Sequence, residues 1–323
     1  MGLGLDILLT LDSMLRLATP LVLCAMAGLI SERAGIVDIG LEGKLLVAAF
    51  GAAAMASWTG SAWAGLGAAI LASMLFALIH GFACITHRGD QIISGLALNT
   101  IASGLTIVLS TALFKLGGQT PTLDAGARFG PISLPGADSV ADVPWFGPFW
   151  RQLISGHSLL VYMAMFSVPL VWWLVWKTRF GLRLRAVGEM PAAVDSAGVS
   201  VSWLRYRAVL IAGILCGIAG AFLSTAYGSG FVREMSAGKG YIALAALILG
   251  KWRPFSVLLA CLLFGFLEAA ANRMQGTDLP LIGQLPVEFI LILPYVATVI
   301  LLVGFFGKAI PPKALGIPYV KER

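Results

Sequence analysis

Three groups of residues in this sequence have types and spacings that can carry chemistry. The first is the run ERAGIVDIGLEGKLL, residues 32–46. It sets Glu32, Arg33, Asp38, Glu42 and Lys44 among glycines, directly against an apolar stretch. Charge beside hydrocarbon is costly unless it is paired or wet, so such groups are candidates for a polar path or for proton or ion sites. Glu42 and Lys44 are too close in sequence to face each other on a helix. Two readings stand: a polar loop that ends before the membrane, or a discontinuous helix start lining a path. Irregular glycine-rich backbone at membrane depth is tolerated only against protein or a watery cavity.

The second group is a basic stretch, residues 177–207, holding Lys177, Arg179, Arg183, Arg185, Arg205 and Arg207. Within it, EMPAAVDSAG (residues 189–198) predicts a short helix. Pro191 suits a first-turn position, Ala192 and Ala193 favour helix, and Gly198 suits a C-terminal cap. Such a helix, flanked by bases, can seat in a groove on a partner or can simply link two spans. The third group is scattered: Gln91, Asn99, Thr225, Glu268, Asn272 and Glu288 lie inside or beside apolar runs. Polar groups there are pathway candidates, although helix–helix hydrogen bonding accounts equally well for Asn99 and Thr225. Glu268 and Asn272, four apart, share a helix face.

Several chemistries lack their residues. No GxxxxGK[ST] loop is present, so ATP hydrolysis is not expected in this chain. His80, His87 and His157 have no cysteine or carboxylate at metal-ligand spacing, and no metal or other cofactor is expected. No GxSxG nucleophile motif occurs. Cys24, Cys84, Cys216 and Cys261 each sit in an apolar run without a CxxC pair and read as small hydrophobic residues.

The elements that must position these groups are membrane helices. Hydrophobic residues make up 59% of the 323 and charged residues only 12%, against roughly 25% charged in soluble domains. The net charge of +6 sits in short loops, as at a cytoplasmic membrane surface rather than a nucleic-acid interface. A crossing helix needs about 20 apolar residues. Candidate spans are residues 11–30, 39–58, 63–86, 91–114, 157–176, 208–227, 255–271 and 287–306, and 241–250 is too short to cross alone. Joined to 235–239, it predicts a broken or re-entrant helix. The expected fold is therefore all-α: a polytopic transmembrane bundle of about nine spans, one domain over residues 1–323.

Lysine and arginine set the orientation. With residues 177–207 in the cytoplasm, Arg88, Lys251, Arg253 and the tail with Lys308, Lys313, Lys321 and Arg323 fall inside. The stretch 116–155, with Trp145, Phe146, Phe149 and Trp150, falls outside as an interfacial aromatic belt or a docking surface. The N-terminus falls outside too. Its first ten residues carry Asp6 and no base, so insertion is expected to rest on uncleaved helices. Small residues at Gly51–Ala54 and at Gly213, Gly217 and Gly220 predict close helix contacts. Gly43-Lys44 and Gly238-Lys239 form a weak internal echo.

The run at 32–46 closely resembles the opening motif of permease subunits of bacterial ABC importers for nucleosides and simple sugars, which group with the ribose and branched-chain amino acid permeases. DQIISGLALN (90–99), GLRLRAVGEMPAAVDSAGVSV (181–201) and SAGKGYIALAALILGKWRP (236–254) resemble further motifs of that family in order. The resemblance covers residues 17–306. Asp38 stands where the family usually has Asn, and Met190 where Asn is common.

The resemblance implies a type II ABC importer permease in the bacterial inner membrane. Two permease chains form the pore, the second a different, longer one. Cytoplasmic ATP-binding subunits use ATP and Mg, and an external protein delivers the solute. It also implies that Arg183, Arg185, Glu189, Pro191, Ala192, Ala193, Asp195 and Gly198 couple to the ATPase. Asp38, Glu42, Gln91, Asn99 and Thr225 are then candidates for the path. An ion-coupled secondary transporter using Glu42, Glu268 and Glu288 is the competing expectation.

Overall fold

The computed structural model describes residues 3–134, 146–274 and 309–321, with isolated stretches of one or two residues between 278 and 300. Its helices are α1 (Leu3–Arg33), α2 (Leu41–Thr59), α3 (Ala62–Gly81), α4 (Gln91–Phe114), α5 (Phe146–Phe149) and α6 (Leu159–Lys177). After these come α7 (Arg179–Glu189), α8 (Pro191–Ser196), α9 (Val201–Phe222), α10 (Lys239–Leu249) and α11 (Pro254–Met274). Single π-type turns extend α3 to Thr86 and α9 to Tyr227. Among the described residues, six helices are long and apolar enough to cross a bilayer. The protein is a multi-pass membrane helix bundle. Among the described residues, strand is confined to two-residue ladders, such as Pro131–Ile132 against His157–Ser158.

Short polar residues start three of the helices, α4, α7 and α9. Asp90 accepts from the Ile92 and Ile93 amides at 2.8 and 2.9 Å, Ser200 from Trp203 at 3.3 Å, and Thr178 from Gly181 at 3.0 Å. Each satisfies amides that a helix start leaves open. Helix α1 and helix α9 are the most enclosed spans, and α2, buried over most of its length, packs with them at the centre. A helix apolar all round belongs inside a bundle. Without a hydrophobic drive between helices in lipid, small residues provide the close fit. A Cβ on Gly220 would sit 2.4 Å from Ala48 Cβ, and one on Gly217 would sit 2.5 Å from Ile70 Cα. The four cysteines are free and buried.

The expected spans correspond to long helices at 11–30, 39–58, 63–86, 91–114, 157–176 and 255–271, while the span at 287–306, with Glu288, lies largely outside the described residues. Segment 241–250 is α10, a helix of 11 residues. About 16 Å of helix cannot cross a bilayer, and irregular backbone from Gly228 to Gly238 leads into it. Trp145 lies outside the described residues.

The basic stretch departs from expectation. Residues 177–207 hold α7, α8 and the first turns of α9, so the span expected from 208 begins at Val201. Two arginines are accommodated locally. Arg205 is buried against backbone carbonyls, and Arg207 stacks on Trp203 at 4.8 Å. An arginine accommodated in this way does not end a helix.

Candidate functional site

Residues 34–40 leave α1 and turn back into the bundle before α2 begins. Such backbone must find partners for its N–H and C=O groups, and it finds them in tight backbone turns at 34–36 and in side chains. Ser31 Oγ donates to the Ile36 carbonyl at 3.0 Å. The Val37 amide donates to Gln91 Oε1 at 2.6 Å, and His80 Nε2 lies 3.0 Å from the Val37 carbonyl. Asn99 does double duty: its Nδ2 donates to the Ile39 carbonyl at 3.0 Å, and its Oδ1 accepts from the Gly43 amide at 2.8 Å. The broken helix start is thus held by α3 and α4.

Its charges are paired internally. Lys44 and Asp38 are both wholly buried and form an ion pair. Glu42 reaches the other broken element: its oxygens accept from the Gly238 and Gly240 amides at 2.8 and 2.7 Å. A carboxylate at a helix N-terminus satisfies open amides and complements the dipole. The two Gly-Lys pairs noted in the sequence therefore meet in space, one helix start capping the other. Lys239 in turn pairs with Glu268 at 2.7 Å. Glu42 and Glu268 are both committed to these internal ties.

Of the path candidates, Asp38, Glu42, Gln91 and Thr225 are buried within this chain. The Thr225 hydroxyl returns to its own helix at Ala221 O, 2.6 Å away. Asn99 alone among them reaches a partly open face, where its amide also donates to the Tyr241 hydroxyl at 2.8 Å. Nearby, a cavity of about 400 Å³ is lined by Thr120, Tyr227, Phe231, Met235 and Lys239.

The second part of the site lies at the end of the bundle where α1 finishes. Helix α7 buries Gly181, Leu184, Val187 and Gly188, one face at helical spacing. A Cβ on Gly188 would lie 2.2 Å from the Arg33 carbonyl oxygen, so α7 meets α1 backbone to backbone. Arg33 and Arg185 both approach the Trp176 ring, at 5.5 and 5.8 Å. Pro191 opens α8, and Gly198 follows it at φ +79°, a left-handed conformation that glycine adopts without steric cost.

Val194 tucks into a small core with Val187, Val201, Leu204 and Tyr319. Arg183, Glu189, Ala192 and Ala193 are exposed, and Asp195 lies 3.8 Å from Lys321. Beneath this surface, Arg205 Nε donates to the Ala34 carbonyl at 3.2 Å and Nη1 to the Ile317 carbonyl at 3.3 Å. One buried guanidinium thus joins α9, the broken start and the C-terminal tail. In the sequence Arg205 reads only as an orienting charge, and His80 carries no role. The available signal was an ionisable side chain deep in an apolar run.

Residues 10–310 match the family described as "Branched-chain amino acid transport system / permease component". The chain is 37% identical to the guanosine ABC transporter permease protein NupQ of Bacillus subtilis, over 95% of this chain and 94% of that one. It is 36% identical to the nucleoside ABC transporter permease protein NupC of Lactococcus lactis, over 96% of each. Identity with the putative glucose ABC transporter permease protein TsgC13 of Haloferax volcanii is 34%, over 87% of this chain and 82% of that one.

Proposed function

The chain belongs to the branched-chain amino acid transport system permease family, as a transmembrane permease subunit of an ABC importer, and from that premise we propose that its cargo is a nucleoside. The observation that carries this reading is near full-length similarity to permeases named for guanosine and nucleosides. The similarity to a permease named for glucose favours a simple sugar as the second reading. Both cargoes are uncharged and rich in hydroxyls.

In this reading the α7–α8 surface faces the cytoplasm, as its arginines favour. Residues 177–207 form the coupling loop, and 116–155 lie outside. The tail, packed on α7 and α9 through Gly188, Arg205 and Tyr319, is cytoplasmic as well. ATP and Mg act in separate ATP-binding subunits, which grip exposed Ala192 and Ala193. An external binding protein delivers cargo in the bacterial inner membrane. A second permease chain, different and longer, completes the pore. It covers part of α4, the least enclosed of the candidate spans.

The linkage has a physical route. A push on α8 bears on α9 through the Val194–Val201 cluster. Helix α9 carries Arg205, which holds Ala34 at the head of the broken start. ATP can drive the bundle between outward- and inward-facing states only through contacts that differ between them.

The test is uptake of labelled guanosine into proteoliposomes holding all the subunits and the binding protein. Accumulation is expected with ATP and not with a hydrolysis-dead ATPase. Undiminished uptake with the dead ATPase would overturn the ABC mechanism. Uptake of ribose or glucose in place of guanosine would move the cargo to sugars.

A further inference from the structure

Helix α4 carries Asn99 and Ser103 one turn apart, hence on one face. That face meets the irregular segment leading into α10. The Ser103 hydroxyl donates to Glu234 Oε1, and Asn99 donates to the Tyr241 hydroxyl at 2.8 Å. Glu234 is a non-glycine residue at φ +55°. This left-handed backbone is uncommon in such residues and is kept where the surroundings impose it. Glu234 Oε2 has no hydrogen bond or ion pair among the described residues, and the side chain is exposed.

Its depth makes this notable. Ser103 stands at the middle of the 24-residue α4, so the carboxylate is pinned near the midplane of the span. Asp38, Glu42 and Glu268 are satisfied inside this chain, but Glu234 turns outward. An ionisable group cannot rest against lipid tails at that depth without a cost of several kcal/mol. It must see water or a polar ligand. Irregular backbone at depth needs the same setting.

We propose that Glu234, braced by Ser103 and flanked by Asn99 and Tyr241, is a cargo contact that accepts hydrogen bonds from the vicinal hydroxyls of the ribose ring as it crosses. A carboxylate with a free oxygen suits a diol, as acidic residues in dinucleotide-binding folds accept from ribose hydroxyls. Tyr241 adds an aromatic surface, 43% exposed, beside the carboxylate. This inference rests on the nucleoside reading.

The experiment compares guanosine with 2′,3′-dideoxyguanosine in the complete reconstituted importer. Maximal transport rate is read at saturating, preloaded binding protein, so that the carrier's own affinity drops out. The wild type should move guanosine faster by about tenfold, the worth of one hydrogen bond to a charged group. Glu234→Gln should slow guanosine toward the dideoxy rate and leave dideoxyguanosine unchanged. Ser103→Ala, which frees the carboxylate, should show the same pattern more weakly. Equal slowing of both substrates by Glu234→Gln would make Glu234 merely structural and overturn the proposal. So would a wild type that does not discriminate. A wild type that transports neither nucleoside would sink the cargo reading instead.

Discussion

Lys44 sets its Nζ 2.7 and 2.5 Å from the two carboxylate oxygens of Asp38, and neither side chain is exposed. Removing one partner of a buried pair strands the other charge, at a cost of about 3–5 kcal/mol. Asp38→Asn and Lys44→Met should therefore each lower thermal stability in detergent sharply. The double variant should recover much of the loss, because replacing both charges by neutral groups of similar size is often near neutral. Equal losses that simply add would show that the pair is not coupled.

Glu42 Oε1 and Oε2 hold the Gly238 and Gly240 amides. Glu42→Ala leaves buried donors open, at about 1–3 kcal/mol. Glu42→Gln keeps one acceptor and should lie between the two. The loss should localise: amide exchange should rise first at residues 238–242. Uniform exchange across the bundle would contradict the assignment of Glu42 as a local cap.

The span expected from 157 begins at Leu159, and His157 precedes it in the short ladder with Ile132, buried, with its Nδ1 3.7 Å from Asp12. Burial pushes its pKa below the usual 6.5, the Asp12 carboxylate opposes this, and Arg16 adds to the lowering. The neutral ring is thus favoured by folding. Its contribution is complete above the unfolded value and is lost as pH falls below 6.5 through the lowered folded value. Wild-type melting temperature should drop over that window more than that of His157→Gln. Parallel curves would count against the assignment.

Arg205 joins Ala34 to Ile317 across the end of the bundle. Lysine, a single point charge, cannot keep both carbonyls in the arginine's planar geometry. Arg205→Lys should loosen residues 312–321, read as faster amide exchange there, and slow ATP-driven uptake. An unchanged tail with normal uptake would remove Arg205 from the linkage.

The long spans were legible because apolar runs of bilayer length allow few other structures. The helix at 191–196 was legible from Pro191 and Gly198, whose backbone demands are local. What the sequence hid was pairing. That Asp38 meets Lys44, six residues on, depends on the turn that folds the broken start back on itself; that Glu42 caps α10 depends on two broken helix starts converging from opposite parts of the chain, across 196 and 198 residues. Glu234 gives no such signal, because it lies outside any apolar run. Its depth comes only from Ser103, on another helix.

The exposed face of α8 gives the sharpest division between folding and function. Ala192 and Ala193 project outward while Val194 faces the small core. A large side chain at Ala193 should therefore leave the fold intact, because surface changes away from special features usually lie within about 0.5 kcal/mol. It should nevertheless spoil a close fit with an ATPase groove. Ala193→Trp is expected to melt within a few degrees of wild type yet to lose uptake, with ATP hydrolysis by the assembled complex no longer answering to cargo-loaded binding protein. Val194→Asp is the contrasting variant. It puts a charge into the core beside Val187 and Val201, and should fail by lowering the melting temperature itself. If Ala193→Trp transported at the wild-type rate, α8 would be a linker and the grip of the ATPase would have to lie elsewhere.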